Sequence, residues 1–298
     1  MRRRMTAACL AAGFMGLALG AAGCRPAPEL AEVLQGKKAN RLPDPGEAFT
    51  PPFTFVFYSD VHANRSVHGR LCAAVLEHRP RFVVCGGDCV YHAERDEEWV
   101  DFLLSSAKLR AEIPYLAVRG NHDVGSPRFG EIFRLPGGSR WYSLDLGPLH
   151  LTVIDTESEM GPESEQGRWL ARDLAAAKQR PFTVVCHHRP VYASGKYFKF
   201  GDRAVLKHAN PLFLEHGVDL SLCGHEHFYE RLEADGLNYI VADGAGGSLR
   251  ERSLEHPASR VLVSRHHYLV LTLHADRIEG VARDLEGEVF DRFTVKPR

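Results

Sequence analysis

The sequence lacks an excess of charge of either sign. It has 37 Lys and Arg residues against 38 Asp and Glu residues, which gives a net charge of -1 over 298 residues. Removal of a leader that contains Arg2, Arg3 and Arg4 and no acid would change the net charge to -4. A mildly acidic chain does not have the electrostatic character of a nucleic-acid-binding protein. We therefore expect no nucleic-acid partner, and nothing in the composition implies a partner protein.

Internal repeats and a second domain boundary are also missing, and so is an apolar run long enough to cross a bilayer. The 44% hydrophobic and 25% charged residues are typical of one sizeable globular domain. The apolar run from Ala7 to Ala22 is shorter than the roughly 20 residues that span a membrane. Because it follows a basic start and ends in small residues, residues 1–23 are interpreted as an export signal, with an uncleaved membrane anchor as the alternative.

The sequence AAGC at 21–24 resembles the lipobox of bacterial lipoproteins, in which the cysteine is acylated and becomes the mature N-terminus. Ordinary signal-peptidase cleavage somewhere after Ala18 is the alternative. We expect a protein of the exported bacterial cell envelope, in the periplasm or on the outer surface, attached to the membrane only through a lipid on Cys24. Residues 24–52 contain proline, alanine and glycine without periodicity and are predicted to be a flexible tether. The folded domain is predicted over residues 53–298.

Short apolar runs alternate with helical patterns from residue 53 onwards. Helical spacing marks residues 67–76 and 164–178, and shorter turns join the later strands. This order predicts an α/β domain with layered sheets. The predicted strands are FTFVFY, RFVVC, PYLAV, LHLTVID, FTVVC, VDLSLC and YLVLTL.

Five of these strands are followed directly by polar clusters, namely DVHAN, DCVYH, RGNHD, HHRP and GHEH. One such cluster would be a polar turn that ends a strand. Five clusters rich in Asp, His and Asn predict a common site, because the carboxyl ends of strands in open α/β sheets line one crevice. The candidate metal ligands are Asp60, His62, Asp88, Asn121, His188, His225 and His227.

These donors suffice for two metal ions if one carboxylate is shared. Carboxylate, amide and imidazole groups suit manganese, iron or zinc, as two divalent ions or a mixed-valence pair. Two ions about 3.5 to 4 Å apart can clamp an in-line displacement and lower the pKa of a bound water to about 7. We therefore expect hydrolysis by a metal-bound hydroxide.

The series DVH, GGD, GNHD, HHRP and GHEH resembles the calcineurin-like metallophosphoesterase superfamily from residue 60 to residue 227. The segments GDCVY, EQGRWLARDL, HRPVYAS and GHEHFYER are similar to its purple acid phosphatase branch. The resemblance implies a two-layered β-sandwich flanked by helices, a dinuclear centre and a phosphate-ester substrate. It also implies a distribution of ligands: Asp60, His62 and His227 on the first metal, Asn121, His188 and His225 on the second, and Asp88 as the bridge.

The resemblance implies a different role for His122, which matches a family histidine that stabilises the transition state and protonates the leaving oxygen. The adjacent Asp123 would favour a charged imidazolium, and whether it or another acid orients the ring is left open. His188 satisfies the family pattern of histidine, any residue, proline. His187 should point to the opposite face as a buried or supporting residue, because side chains alternate along a strand.

Several neighbouring residues can be interpreted in two ways. The arginines next to the motifs could contact phosphate or pair with local acids; they are Arg65, Arg119, Arg189 and Arg231. Tyr91 stands where purple acid phosphatases place a tyrosinate on iron, but His62 can fill that position, so Tyr91 is predicted to lie nearby without coordinating. His92 is a possible substrate contact. Cys85 and Cys89 lack the spacing of a zinc knuckle and are interpreted as packing residues, with a disulfide as the alternative.

The expected function is an exported metal-dependent phosphoesterase, with phosphate monoesters favoured as substrates. A phosphodiesterase and a non-catalytic envelope module that binds a phosphorylated ligand are the alternatives. The loops 91–98, 125–140 and 194–202 are predicted to build the substrate pocket.

Overall fold

A computed structural model describes residues 29–35, 41–44, 47–195 and 201–298. Its strands are β1 (Phe53–Tyr58), β2 (Phe82–Cys85), β3 (Tyr115–Ala117), β4 (Tyr142–Leu146), β5 (Leu149–Val153), β6 (Phe182–Cys186), β7 (Leu220–Cys223), β8 (Tyr229–Ala234), β9 (Leu237–Ala242), β10 (Ser259–Val263), β11 (His267–Leu273), β12 (Ile278–Asp284) and β13 (Val289–Val295). The helices are α1 (Leu30–Gln35), α2 (Arg65–Glu77), α3 (Asp96–Ser105), α4 (Ala107–Glu112), α5 (Arg128–Phe133), α6 (Glu165–Ala177) and α7 (Asn210–Glu215).

The strands form two mixed sheets. One has the order β13-β12-β11-β1-β2-β3, and the other has the order β10-β8-β9-β7-β6-β5-β4. Strands β1, β2 and β3 are parallel neighbours in the first sheet, and β5, β6, β7 and β9 are parallel neighbours in the second. Helices α2, α3 and α4 lie against the first sheet, α1 packs on α3, and α6 and α7 lie against the second sheet. The expected two-layered β-sandwich flanked by helices is confirmed.

Local sequence explains the elements next to the site. Five of the six residues of β1 are buried, which fits its unbroken apolar run. Helix α2 begins where the Asn64 side chain accepts a hydrogen bond from the Val67 amide, and α6 begins where Ser164 accepts one from the Gly167 amide. Both helices therefore start at the residues whose side chains can satisfy their free amides.

The main core lies between the two sheets. Phe55 and Phe82 stack there with their ring centroids 4.9 Å apart, and Leu151 and Val184 of the second sheet belong to the same buried cluster. A second cluster between the second sheet and its helices includes Phe213. Burial on both faces holds the parallel strands rigidly, so the loops at their carboxyl ends have fixed starting points.

The prediction of a flexible tether over residues 24–52 is wrong for the parts that the structure describes. Leu30 and Val33 of α1 are buried against α3, and the Phe49 ring packs on Phe53 with centroids 5.3 Å apart. The Tyr115 amide donates a hydrogen bond to the Arg41 carbonyl over 2.8 Å. A few well-spaced apolar residues therefore suffice to attach this proline-containing segment to the domain.

The predicted export signal and Cys24 lie outside the described residues. Within the described ranges, no helix combines the length and apolar character that a membrane crossing requires.

Candidate metal centre

The candidate ligands meet at one edge of the sandwich, in the loops that leave β1, β2, β3, β6 and β7. The structure brings all seven predicted ligands together, and a donor atom of each lies within 3.4 Å of a donor atom of another. The separations are 3.3 Å for His227 Nε2 to Asp60 Oδ1, 3.3 Å for His62 Nε2 to Asp88 Oδ2, 3.4 Å for His188 Nε2 to Asp88 Oδ2, 3.2 Å for His188 Nε2 to Asn121 Oδ1 and 3.3 Å for His225 Nδ1 to His188 Nε2.

Two groups of donors can be distinguished within this set. Asp60, His62 and His227 form one group, and Asp88, His188 and His225 form the other, each with donor atoms within 4.8 Å of one another. Asp88 Oδ2 lies between them, at almost equal distances from the imidazoles of His62 and His188. This position fits a bridging carboxylate.

The donor geometry also fits metal ions. Donor atoms that each lie about 2.0 to 2.2 Å from one ion stand roughly 3 to 3.5 Å apart, and the separations above are in that range. Asp60 Oδ1 is fully buried and has no hydrogen-bond donor, since His227 Nε2 approaches it without hydrogen-bond geometry. A buried carboxylate oxygen without a donor is costly unless a cation neutralises it.

Unusual backbone conformations concentrate in this region. Nine non-glycine residues of the described chain have positive φ angles, and five of them are candidate ligands: Asp60, His62, Asp88, His225 and His227, at φ between 49° and 82°. Left-handed residues other than glycine cost about 1 to 2 kcal/mol each. Such strain persists where the surrounding structure enforces it, which is typical of functional sites.

Two glycines allow the ligand loops to approach one another. A Cβ atom on Gly120 would lie 2.1 Å from Asp88 Oδ1, and a Cβ atom on Gly224 would lie 2.4 Å from Asp60 Oδ2. The freed space is used by hydrogen bonds, because Asp88 Oδ1 accepts from the His122 amide and Asp60 Oδ2 accepts from the His225 amide, each over 2.9 Å. The loops therefore position each other.

Two of the imidazoles are oriented through their other nitrogen. Nδ1 of His188 donates to the Gly86 carbonyl over 3.0 Å, and Nδ1 of His227 donates to the Ser248 carbonyl over 2.8 Å. Because a carbonyl can only accept, the proton is on Nδ1 and Nε2 is directed at the centre. This arrangement is typical of metal-binding histidines.

The electrostatics of the site favour negative carboxylates. Burial alone would raise the pKa of Asp60, but the His227 and His188 imidazoles hold it at about 2. Burial would lower the pKa of His188, whereas the Asp88 carboxylate raises it to about 10. For His225, burial and the nearby His188 lower the pKa to about 3. The anionic carboxylates and the neutral His225 imidazole are in the protonation states that bind cations, whereas His188 would release a proton when a metal binds.

His122 lies at the rim of the site and is oriented by a backbone group. Its Nδ1 donates to the Tyr91 carbonyl over 2.8 Å, while its Nε2 lies 4.0 Å from Asp88 Oδ2. Its ring also stacks on the Tyr91 ring with centroids 4.6 Å apart. Nε2 therefore faces the candidate metals and is the nitrogen that can exchange a proton with a substrate.

Asp123 does not orient His122, contrary to one of the options that the sequence leaves open. Its Oδ1 accepts from the Cys89 amide and its Oδ2 from the Gly120 amide, both over 2.9 Å. Burial and the nearby Asp88 charge raise its pKa to about 8. Asp123 therefore joins the β2 and β3 loops beneath the site and has no contact with the reacting groups in this geometry.

Asp243 likewise holds the GHEH loop by accepting hydrogen bonds from backbone amides. This residue was not identified from the sequence. Its Oδ2 accepts from the Glu226 amide over 2.5 Å and the His227 amide over 2.6 Å, and its Oδ1 accepts from the Phe228 amide. Asp243 directly follows β9, a parallel strand of the second sheet. The same signal that marked Asp60 and Asp88, an acid within three residues of the end of a buried strand, could have identified it.

A cavity of about 340 Å³ opens over the centre, lined by Asp88, Tyr91, Asn121, His122, Arg189, His225, His227 and Arg250. Only the first of the three predicted pocket loops contributes to this lining among the described residues. Residues 125–140 line a separate cavity beside Arg119, and residues 196–200 of the third loop lie outside the described chain. The prediction for residues 125–140 is therefore wrong for this cavity, since none of them is among its lining residues.

Only one of the four predicted arginines lines the cavity. Arg189 does so while its Nε and Nη2 bind the Glu157 carboxylate at 2.6 and 3.1 Å. The other three pair with acids elsewhere: Arg65 with Asp101, Arg119 with Asp155 and Arg231 with Asp291. Arg250, which the sequence did not indicate, lines the cavity and donates from Nη1 to the His225 carbonyl over 3.0 Å.

The remaining neighbours are clearly placed. Tyr91 is 50% exposed at the mouth of the site, with its ring edge-on to His62.

His187 points away from the centre. Its ring nitrogens form hydrogen bonds with the Arg189 carbonyl and the Ser221 hydroxyl, each over 2.7 Å. The described cysteines are buried and free, and the Sγ atoms of Cys85 and Cys89 are 3.8 Å apart. His187 therefore has the supporting position expected from strand alternation.

Comparison with known proteins identifies the family. The family model of the calcineurin-like phosphoesterases matches residues 53–229, which include every candidate ligand. The chain belongs to the calcineurin-like phosphoesterase family. Its metal centre is accordingly of the dimetal type, and its relatives include purple acid phosphatases.

Three similar proteins illustrate this relationship. Human acid phosphatase type 7 is 33% identical over 185 residues, which is 53% of this chain and 42% of that protein. An Arabidopsis thaliana protein named probable inactive purple acid phosphatase 1 is 24% identical over 257 residues, or 70% of this chain and 42% of that protein. The purple acid phosphatase PPD1 of yellow lupin superposes with a TM-score of 0.75 at 19% identity, over 84% of this chain and 55% of that structure. The chain thus spans less than half the length of the curated relatives it matches.

Proposed function

We propose that this protein is an exported, metal-dependent phosphoesterase that hydrolyses phosphate monoesters at a dinuclear centre. The strongest support is the position of Asp88 Oδ2 between two groups of imidazole and carboxylate donors, with His122 Nε2 facing the same cavity. The family membership supports a phosphate-ester substrate. In this proposal the two ions are manganese, iron or zinc and are held by the seven ligands in the distribution given above.

The bound ions would supply Lewis-acid activation of a water and neutralise charge on the phosphoryl group. The residues of the chain complete the site around them. Arg189 and Arg250 both line the cavity, and their guanidinium groups are suited to phosphate oxygens. Because Glu157 holds Arg189 through two hydrogen bonds, its remaining donors are fixed in direction.

His122 would donate a proton to the leaving oxygen. Its Nδ1 is committed to the Tyr91 carbonyl, so the protonated ring has one N–H, at Nε2, to offer to the substrate. A positioned acid of this kind contributes most when the leaving group is a poor one, such as an alkoxide.

Phosphate monoesters are favoured over diesters. The cavity of about 340 Å³ is near the small end of ligand pockets, and a related human protein is named an acid phosphatase. A panel of monoesters and diesters should be assayed with the purified protein loaded in turn with manganese, iron or zinc. Monoester turnover at least about tenfold faster than diester turnover is expected. The reverse preference would make the protein a phosphodiesterase.

The non-catalytic alternative has one observation in its favour, since an Arabidopsis relative is named a probable inactive phosphatase. It predicts binding of inorganic phosphate to the metal-loaded protein without turnover of any ester in the panel. A complete ligand set together with His122 supports catalysis, because a binding module has no use for a proton donor at the leaving-group position.

Export and lipid attachment at Cys24 complete the proposal. The sequence MRRRMTAACLAAGFMGLALGAAGC supports them. Wild-type protein expressed in a bacterium should partition with membranes and have an acylated Cys24 as its mature N-terminus, and Cys24→Ser should abolish that processing. Soluble wild-type protein with another N-terminus would contradict lipid attachment.

A further inference from the structure

We propose that Glu98 is a positioning residue for His122, acting through the backbone carbonyl of Tyr91. This inference rests on the proposed role of His122 as proton donor. Glu98 belongs to the first turn of α3, outside the motif series, and it does not line the cavity over the centre.

Glu98 holds the loop that follows the bridging Asp88. Its Oε2 accepts hydrogen bonds from the amides of Tyr91 and His92 at 2.7 and 2.9 Å. Its Oε1 accepts from the His92 ring at Nδ1 over 2.8 Å. Three donors on one carboxylate fix the peptide planes on both sides of Tyr91.

The fixed loop presents the Tyr91 carbonyl to His122. That oxygen accepts from His122 Nδ1 over 2.8 Å and thereby sets both the direction of the ring and the tautomer that leaves Nε2 facing Asp88. The ring stack between Tyr91 and His122 limits tilting but does not choose between the two ring nitrogens. The hydrogen bond to the carbonyl makes that choice.

The support beneath Glu98 is rigid. The neighbouring Trp99 is fully buried, and its Nε1 donates to the Ala93 carbonyl over 2.8 Å, which attaches the same loop to α3 a second time. The Glu98 side chain itself is only 15% exposed, so water competes weakly for its oxygens. The three hydrogen bonds also lower the pKa of Glu98, although partial burial opposes this, so the carboxylate stays ionised near neutral pH.

No side-chain carboxylate makes a hydrogen bond to the His122 ring within the described part of the chain. Asp123, the acid next to it in sequence, is committed to two backbone amides beneath the site. The carbonyl of Tyr91 therefore takes the orienting role that an acid plays in many histidine pairs, and Glu98 determines where that carbonyl lies.

The kinetic test compares Glu98→Ala with Glu97→Ala. Glu97 is an exposed acid in the same helical turn, so its replacement removes the same charge from α3 without touching the loop. Glu98→Ala should keep both metals. Its kcat should fall about 10- to 100-fold for an alkyl phosphate but less than about threefold for p-nitrophenyl phosphate. The reason is that a displaced proton donor matters only for a poor leaving group. Glu97→Ala should match wild type, and Glu98→Gln should stay within a few-fold, since its amide oxygen can still accept from both backbone amides.

A second measurement does not depend on turnover. In zinc-loaded protein with ¹⁵N-labelled histidine, two-bond proton–nitrogen spectra should show the proton of neutral His122 on Nδ1, with the signal identified by its loss in His122→Ala. Glu98→Ala should abolish this tautomer preference, and Glu98→Asp, whose shorter side chain cannot reach both amides, should do the same if the alanine variant does not fold.

The outcomes separate the two levels of the inference. An unchanged His122 tautomer in these variants would overturn the positioning role, and so would an equal loss of kcat for both leaving groups. An inactive wild type in which Glu98→Ala still changes the His122 tautomer would refute the proposed function while supporting the positioning role.

Discussion

Replacement of Gly120 by alanine tests whether the geometry of the site, as distinct from its ligands, holds the metals. Gly120 has φ of -96°, which any residue can adopt, so the backbone tolerates alanine. The added Cβ, however, would lie 2.1 Å from Asp88 Oδ1 and 2.3 Å from the Asp88 amide nitrogen. Ordinary contacts are about 3.5 Å, so Asp88 must move by roughly 1 Å or more.

A displacement of this size should be seen in both metal binding and catalysis. Overpacking costs about 1 to 3 kcal/mol of stability, and misplacement of a reacting group by about 1 Å costs roughly 100-fold in rate. We expect Gly120→Ala to bind fewer than two metals per chain and to lose about two orders of magnitude in kcat, while circular dichroism shows a folded protein.

The matched control is Gly69→Ala. Gly69 lies in α2, and its Cβ would meet no atom within 4 Å, so this variant should keep its metals and activity and gain up to about 1 kcal/mol in stability. Metal content by mass spectrometry, turnover and thermal unfolding should be measured for both variants. Full metal content and wild-type turnover in Gly120→Ala would show that the close approach of Gly120 to Asp88 is not needed to hold the metals.

Three further predictions concern residues around the centre and one distant cluster. His122→Ala should retain both metals and lose about 10²- to 10⁴-fold in rate for alkyl phosphates but much less for aryl phosphates; an equal loss for both would argue against a proton donor. Tyr91→Phe should leave metal content and the visible absorption of the iron-loaded protein unchanged, since the half-exposed ring lies on His122. By contrast, His62→Ala should reduce metal content. A purple wild type whose colour disappears in Tyr91→Phe would show that the phenol is a ligand. Burial lowers the pKa of His150, but the Asp173 and Asp145 carboxylates raise it above its usual value. These ion pairs stabilise the fold by about 1 kcal/mol after allowance for the half-exposed Asp145. Their stabilising effect is fully present below pH 6.5 and is lost as the pH rises through the raised pKa of His150. Thermal unfolding from pH 6 to pH 9 should therefore show a smaller loss of stability in His150→Gln than in wild type, and equal losses would exclude this contribution.

The parts of the site that the sequence predicted share one physical origin. Buried parallel strands are unbroken apolar runs in the sequence, and the polar residues that follow them are easily recognised. The sequence alone therefore predicts Asp60, Asp88 and His188 at the carboxyl ends of such strands. The same reasoning extends to Asp243 after β9, but YIVA follows a short turn and was not recognised as a strand.

Strands buried on one face were harder to predict. In β12 the burial alternates residue by residue, and Glu279 and Arg283 occupy its outer face. In β8 the charged residues Glu230, Arg231 and Glu233 interrupt the apolar pattern, although Glu230 is buried through hydrogen bonds to Ser194. Such strands owe their position to pairing with neighbours more than to their own composition.

Side-chain partners could not be read from sequence spacing at all. Arg119 and Arg189 both adjoin ligand motifs, yet only Arg189 reaches the cavity, since Asp155 binds Arg119 over 2.7 Å at the end of β5. Likewise, the group that orients His122 is a backbone carbonyl 31 positions away in the sequence. These contacts depend on the packing of loops from different strands, which residue types alone do not encode.

Metal content and turnover of Asp88→Asn show whether the Asp88 carboxylate bridges two ions. The amide keeps the size of the side chain but removes the negative charge that lies between His62 and His188. Wild-type protein should bind two ions and hydrolyse phosphate monoesters, while the variant should lose at least one ion and roughly 100-fold or more in kcat. A pure, folded Asp88→Asn protein with two bound ions and normal turnover would contradict the dinuclear centre proposed here.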